Sequence, residues 1–297
     1  MHDTTFITLG TAGGPVPKVT RSAPCHAVTR NGRTILVDCG EGAMRQLKKA
    51  GIDFRNVHDI ILTHHHFDHI GSLFTCLGIN MMMQRTQPLT IYGPKGTKRI
   101  VDALAIACDV PCEIGFGVSG QELPNPRKFL QVRELAPGES TEIGDIAVSC
   151  CENTHYRNEE HFGSDGPISL SLRFDAPDRS IVFTGDTGPS SNVGAFSTGA
   201  DLLVGEMIDF EATMEGVRRS NPHMTAERID MMGKHLAEHH LIPEALGDLA
   251  TRAGVGQVVA VHMTLDSINA ETAPAYIARV QSRYGGAVTI ADDLDRF

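Results

Sequence analysis

The sequence predicts an α/β fold assembled from two sheet-forming halves. Three observations point to it. Apolar runs of strand length, at residues 6–9, 59–62, 89–92 and 181–183, alternate with segments whose apolar residues recur at helical spacing. Two β-rich blocks flank residues 111–145, a stretch marked by Gly115, Gly117, Gly120, Pro124 and Pro126. The chain has 297 residues and 41% hydrophobic content, enough for one large α/β domain or two small ones.

Composition narrows the function classes. The net charge is −10 and the pI near 5.7. A partner held mainly through phosphate contacts needs Lys and Arg, so nucleic acid is not expected. The modest cationic stretches, Lys95 to Arg99 and Arg127-Lys128, read as solvated faces. Trp is absent and aromatic residues are 5%, which leaves little for a base-stacking platform. Seven Cys, at 25, 39, 76, 108, 112, 150 and 151, form no Cys-x-x-Cys and are odd in number. Reduced thiols in a reducing compartment are expected. Residues 1–6 lack a basic and an apolar signal region, and no apolar run approaches 18 residues. The expectation is a cytoplasmic protein that does not enter the membrane.

In chain order, residues 6–10 read as an opening strand, followed by the loop Gly10-Thr11-Ala12-Gly13-Gly14-Pro15. Such a loop either turns tightly through positive φ or lets backbone approach an anionic ligand. On the second reading Gly13, Gly14 and the nearby Ser22 are substrate-binding candidates. Leu36-Val37-Asp38-Cys39-Gly40-Glu41-Gly42 leads into a helix over residues 43–49. The strand at 59–62 then runs into Thr63-His64-His65-His66-Phe67-Asp68-His69-Ile70-Gly71. Within six residues lie four side chains suited to zinc, iron or manganese: His64, His66, Asp68 and His69. A solvated His-rich turn is the alternative. The tract is internal, follows a strand and enters an amphipathic segment at 72–84, which favours a metal site.

The pattern His64-x-His66-x-Asp68-His69 resembles the signature of the metallo-β-lactamase superfamily. The Gly10–Gly14 loop, Asp38-Cys39-Gly40-Glu41-Gly42 and Gln46-Leu47 resemble its ribonuclease Z and arylsulfatase branch. The resemblance implies a four-layer αββα sandwich, two mixed sheets flanked by helices, with residues 1–297 as one domain. It implies that Asp38 lies beneath the His cluster and orients it, where a strand-end carboxylate capping the next helix is the plainer role. Further ligands are implied at strand ends. His155 follows the strand at 146–150, with His161 as its competitor, read as a surface residue. Asp186 closes residues 180–186, and His262 closes 257–262, expected as the last core strand.

Residues 111–128 read as a loop or small arm. The longer, basic arm of ribonuclease Z clasps transfer RNA; here Arg127 and Lys128 are the arm's cations, so a transfer-RNA substrate is not favoured. Residues 209–238 read as a helical insertion over the site mouth, broken at Pro222. The branch pairs a Glu with a His placed one helix and one strand before the last ligand. His240 fits, with Glu206 as its orienting carboxylate; His223 is the runner-up and an exposed helix start the plainer reading. His235 and His239 share a helix face expected to be solvated.

The resemblance thus implies two metal ions per chain, zinc with Mn2+ or Fe2+ as alternatives. His64, His66 and His155 would hold one, Asp68, His69 and His262 the other, with Asp186 between them. They would share a hydroxide roughly 3.5–4 Å from ion to ion. Asp68, His240 and Glu206 make up the catalytic set. Hydrolysis of a small anionic ester, foremost a phosphodiester, is expected. An aryl or alkyl sulfatase, a lactone or carboxylic-ester hydrolase, a transfer-RNA 3′ endonuclease and a non-catalytic metal-binding module are the alternatives. The family suggests a homodimer.

Overall fold

In the computed structural model, which describes residues 3–297, single strands send alternate side chains into different cores. The first two residues of the N-terminal stretch read above lie outside the described residues. Strands β1 (Thr5–Gly10), β2 (Cys25–Arg30), β3 (Arg33–Val37), β4 (Val57–Ile61), β5 (Leu89–Gly93) and β6 (Leu130–Glu134) form one sheet in that order. Strands β7 (Ser140–Ile143), β8 (Ile146–Glu152), β9 (Leu170–Ala176), β10 (Arg179–Phe183), β11 (Leu202–Glu206), β12 (Gln257–Val261) and β13 (Ala287–Ile290) form the other. Both are mixed. β1 to β3 are antiparallel and β3 to β6 parallel. β7 to β10 are antiparallel and β10 to β13 parallel.

Ile35 and Val37 of β3 enter the core between the sheets, and Leu36 enters the core outside the first sheet. Val259 and Val261 of β12 likewise face inward, Val258 and Ala260 outward. This is the period-two alternation of extended chain, apolar on both faces because both faces are covered. The helices are α1 (Ala43–Lys49), α2 (Phe67–Ile70), α3 (Leu73–Met82), α4 (Thr97–Ala107), α5 (Asp109–Ile114), α6 (Ser191–Phe196), α7 (Phe210–Ser220), α8 (Ala226–His239), α9 (Pro243–Ala253) and α10 (Ala273–Gln281). Leu47, Leu77 and Val101 of α1, α3 and α4 cover the first sheet, and Val193, Leu249 and Val280 of α6, α9 and α10 cover the second. The order of layers is αββα, as expected. Among the described residues no helix is long and apolar enough to cross a membrane.

Two elements differ from expectation. β12 is not the last core strand: α10 and β13 follow, and β13 pairs parallel to β12 from Gln257↔Ala287 to Ala260↔Ile290. A four-residue edge strand that is half exposed carries too short a pattern to read. Nor are residues 111–128 all loop. They begin inside α5, where Pro111 sits in the first turn, at a position whose N–H would have no acceptor within the helix.

Beyond β13 the chain crosses to the first sheet. Residues 294–297 lie antiparallel along β1, where Phe6 N donates to Phe297 O at 3.1 Å and Phe297 N to Phe6 O at 2.9 Å. Asp293, just before, ties down the glycine-rich loop. Its carboxylate accepts from Thr11 N (2.9 Å), Thr11 Oγ1 (2.8 Å), Ser22 N (2.7 Å) and Gln46 Nε2 (2.8 Å). Asp293→Ala orphans these donors, and a loss of about 2–3 kcal/mol in urea unfolding is expected. A midpoint equal to wild type would show that water replaces the carboxylate freely.

Candidate metal centre

The carboxyl ends of β3, β4, β10, β11 and β12, with the end of β8, open on one rim of the sandwich, where open α/β sheets place their ligands. Each strand delivers its polar residue at its end or within the few residues that follow. β4 gives Thr63 and the His tract, β8 His155, β10 Asp186, β11 Glu206 and β12 His262. Two of these turns use a left-handed backbone rare for residues with a side chain: Asp38 at φ 58° and His262 at φ 66°. Asp and His tolerate that region better than branched residues.

The structure brings all seven expected metal-binding groups together. Asp186 Oδ2 lies 3.1 Å from His262 Nε2, 3.4 Å from His69 Nε2, 3.8 Å from His155 Nε2 and 3.9 Å from His64 Nε2. Asp68 Oδ2 lies 3.5 Å from His69 Nε2 and 3.7 Å from His262 Nε2. His66 Nδ1 and His155 Nε2 face each other at 2.9 Å. His64, His66 and His155 form one group of converging donors, and Asp68, His69 and His262 another.

Two properties of the donor set fit divalent cations. The buried Nε2 atoms of His64, His69 and His262 have no hydrogen-bond partner among the described residues. Each unpaired buried nitrogen costs about 1–3 kcal/mol, which a bound cation would recover. The carboxylates also demand positive charge. Burial works to lower the His262 imidazolium, yet Asp186, Asp68 and Glu206 pull it up to about 10. Burial works to raise the Asp68 carboxyl, and His69 and His262 bring it down to about 2. Asp186 is held well below the usual carboxylate range against its burial, by His262 and His69.

Supporting contacts fix the rings. Asp38 Oδ2 is 2.8 Å from His69 Nδ1, and Oδ1 accepts from Thr63 N at 2.8 Å. Thr63 Oγ1 in turn meets His64 Nδ1 at 3.0 Å. One carboxylate thus orients two of the rings. Asp38→Asn keeps a residue tolerant of the left-handed turn while removing the charge. A loss of metal affinity of roughly 10–100-fold is expected, read by competition with a chromophoric chelator. Unaltered affinity would confine Asp38 to joining β3 and β4.

His240 Nδ1 lies 2.7 Å from Glu206 Oε2, and both are buried. Glu206 also accepts the Thr187 N–H, and burial pushes its carboxyl up while His240 pulls the other way. The His240 ring stacks 5.7 Å from His262 and lies 4.9 Å from His155. Gly188 lets α8 come this close: a Cβ there would sit 2.0 Å from Glu238 O. The runner-up, His223, is exposed on the turn between α7 and α8, and His161 is exposed as well.

The glycine-rich loop and the His235/His239 face each hold contacts that the sequence does not announce. The Gly13 N–H donates to Met263 O (2.8 Å) and the Gly14 N–H to Asp68 Oδ2 (3.0 Å). Ser22 N is taken by Asp293, as described above. These three backbone N–H groups are engaged inside the protein, where the loop positions Asp68. A Cβ on Gly14 would fall 2.2 Å from that carboxylate, so glycine is required there. His235 and His239 are half-buried, not solvated as expected. His235 lies 5.4 Å from His155 and 5.3 Å from His240, and His239 Nδ1 meets Thr154 O. Their i, i+4 spacing was legible; the docking of that face on the cluster was not. Tyr156 escaped sequence reasoning altogether. Its ring lies 5.1 Å from His66 and its hydroxyl accepts from His65 N at 3.3 Å. His65 itself turns away to Thr97 Oγ1 at 2.8 Å.

Comparison with known proteins extends this geometry. A family profile described as the beta-lactamase superfamily domain matches residues 33–263. The chain is 27% identical over 297 residues to a ribonuclease Z of Mycobacterium avium (strain 104), covering 98% of this chain and 96% of that one. Among solved structures it is similar to the metallo-beta-lactamase fold protein YhfI from Bacillus subtilis, with a TM-score of 0.71 at 16% identity over 100% and 99% of the two chains. It is also similar to human tRNase Z, short form, with a TM-score of 0.67 at 21% identity over 99% and 98%. At these identities the structural likenesses speak to fold alone. None of these relatives is named as a sulfatase, and that expectation gains no support from them.

Proposed function

The chain belongs to the metallo-β-lactamase superfamily and is a metal-dependent hydrolase; on that premise we propose that it cleaves a phosphodiester in a small anionic substrate. The observation that carries this is the buried Glu206–His240 pair beside the converging His/Asp cluster. An alkoxide is a poor leaving group, and a positioned imidazole able to protonate it is what a phosphodiester of an ordinary alcohol requires. The curated relatives named ribonuclease Z act, by that name, on RNA, and so support the phosphodiester class.

His64, His66 and His155 would hold one zinc ion, Asp68, His69 and His262 the other, and Asp186 would contact both. Bound there, the two ions supply Lewis acidity, acidify water and take up charge on the phosphoryl oxygens. The chain's own residues do the rest. Asp38 keeps the His69 Nδ1 proton and turns the Nε2 lone pair into the cluster. The Gly14 N–H fixes the Asp68 carboxylate. Glu206 accepts from His240 Nδ1, so the Nε2 proton of His240 is the one delivered to the departing oxygen. Tyr156 and His235 pack against the His66 and His155 rings.

Arg127 of the arm is paired with Asp109 at 3.0 Å, which leaves little positive charge for a folded RNA. Lactone or carboxylic-ester hydrolysis is the second reading, favoured by Tyr156 at the cluster edge. A panel of zinc-loaded protein against a nitrophenyl phosphodiester, a sulfate ester, a lactone and a precursor transfer RNA decides. Turnover of the diester and none of the lactone is expected. Lactone cleavage without diester cleavage would reverse the assignment.

A further inference from the structure

We propose that the cleft leading outward from His240 seats the leaving alcohol, and that it selects an alcohol with an apolar body that is uncharged or cationic. This rests on the phosphodiester reading above and adds to it the chemistry of the group expelled. The cleft has a volume of about 520 Å3, inside the roughly 300–1,000 Å3 of small-molecule sites. His240 lines it together with the apolar residues Phe210, Ala237 and Ile242. Ile242 is 38% exposed there, an apolar surface left open beside a catalytic candidate.

His240 belongs both to this cleft and to the group it forms with Asp186 and His262. An ester whose phosphorus lies at the cluster therefore presents its departing oxygen to His240 and the rest of its alcohol to the cleft. Charge then sets the preference. Asp209, Glu211 and Arg279 line the cleft. Arg279 is already engaged: Nε and Nη2 meet the Glu244 carboxylate at 2.7 and 3.0 Å, and Nη1 lies 3.4 Å from Asp209 Oδ2. Asp209 also accepts from Tyr276 Oη at 3.0 Å and caps α7 through Ala212 N. Two carboxylates thus already hold one guanidinium, and Glu211, exposed, adds a further negative charge to the lining. An anionic alcohol, such as a nucleotide chain, meets a repelling field; a quaternary ammonium meets an attractive one.

Methyl phosphodiesters of choline, 3,3-dimethylbutanol and 3-hydroxypropanesulfonate offer cationic, neutral and anionic alcohols of comparable bulk. Zinc-loaded protein is expected to release the first two with kcat/KM at least about tenfold above the third. Glu211→Lys should narrow that gap, chiefly through KM, and Ala237→Trp should raise KM for all three. Ligand-observed NMR of the free alcohols with protein to which no metal has been added should give the same order of binding. Equal kcat/KM for the three esters, or a ratio unmoved in a folded Glu211→Lys variant, overturns the proposal while the phosphodiester reading stands. If only a nitrophenyl diester turns over, the NMR order decides. If no diester turns over, the phosphodiester reading falls and the proposal with it.

Discussion

His64→Ala combined with His66→Ala lowers kcat/KM for a nitrophenyl phosphodiester by roughly 10³–10⁴-fold or more, the equivalent of the several kcal/mol that Lewis-acid catalysis contributes. Both side chains lie in the converging group with His155, where His66 Nδ1 and His155 Nε2 stand 2.9 Å apart. Removing two of three donors leaves that position unable to retain a cation at ordinary concentrations. Metal content per chain should fall in parallel, measured by mass spectrometry of the ashed protein. The fold should persist, because neither ring belongs to the apolar cores described above. Turnover at the wild-type rate with full metal content would remove these two residues from the centre.

His240→Ala has a selective effect. For an alkyl leaving group the expected loss is about 10²–10⁴-fold in kcat, the usual contribution of general acid catalysis. For nitrophenolate, which leaves without a proton, the loss should be under about tenfold by the same reasoning. Glu206→Gln should reproduce the pattern more weakly, since it removes the negative charge facing His240 Nδ1 at 2.7 Å and leaves one acceptor oxygen where His240 and Thr187 use two. Equal losses on both leaving groups would show that His240 shapes the site and does not move a proton.

The parts of the site visible in the sequence share one property: each ligand lies in the segment that follows a strand, from one to eight residues past its end. An apolar run that ends in His or Asp announces both the strand and the residue at its tip, as with Phe183 before Thr184-Gly185-Asp186 or Val261 before His262. The hidden parts depend on contacts between distant segments. Asp293 lies in a short polar tail, and nothing local shows that it will accept from Thr11, Ser22 and Gln46. His235 and His239 sit on a charged helix with no fully buried residue, so hydropathy points them to water; the approach allowed by Gly188 turns them to the cluster. In the loop at Gly13 and Gly14, glycine permits close approach, which the sequence alone cannot assign to a ligand or to the protein itself. It does so here for a neighbouring carboxylate within the protein.

Residues 294–297 cover the free edge of β1 in the folded protein. Without them the outer side of β1 is a bare row of N–H and C=O groups, a template for strands from other molecules. Conditions that peel this tail away while the sandwich survives should therefore produce association by edge pairing before any general unfolding.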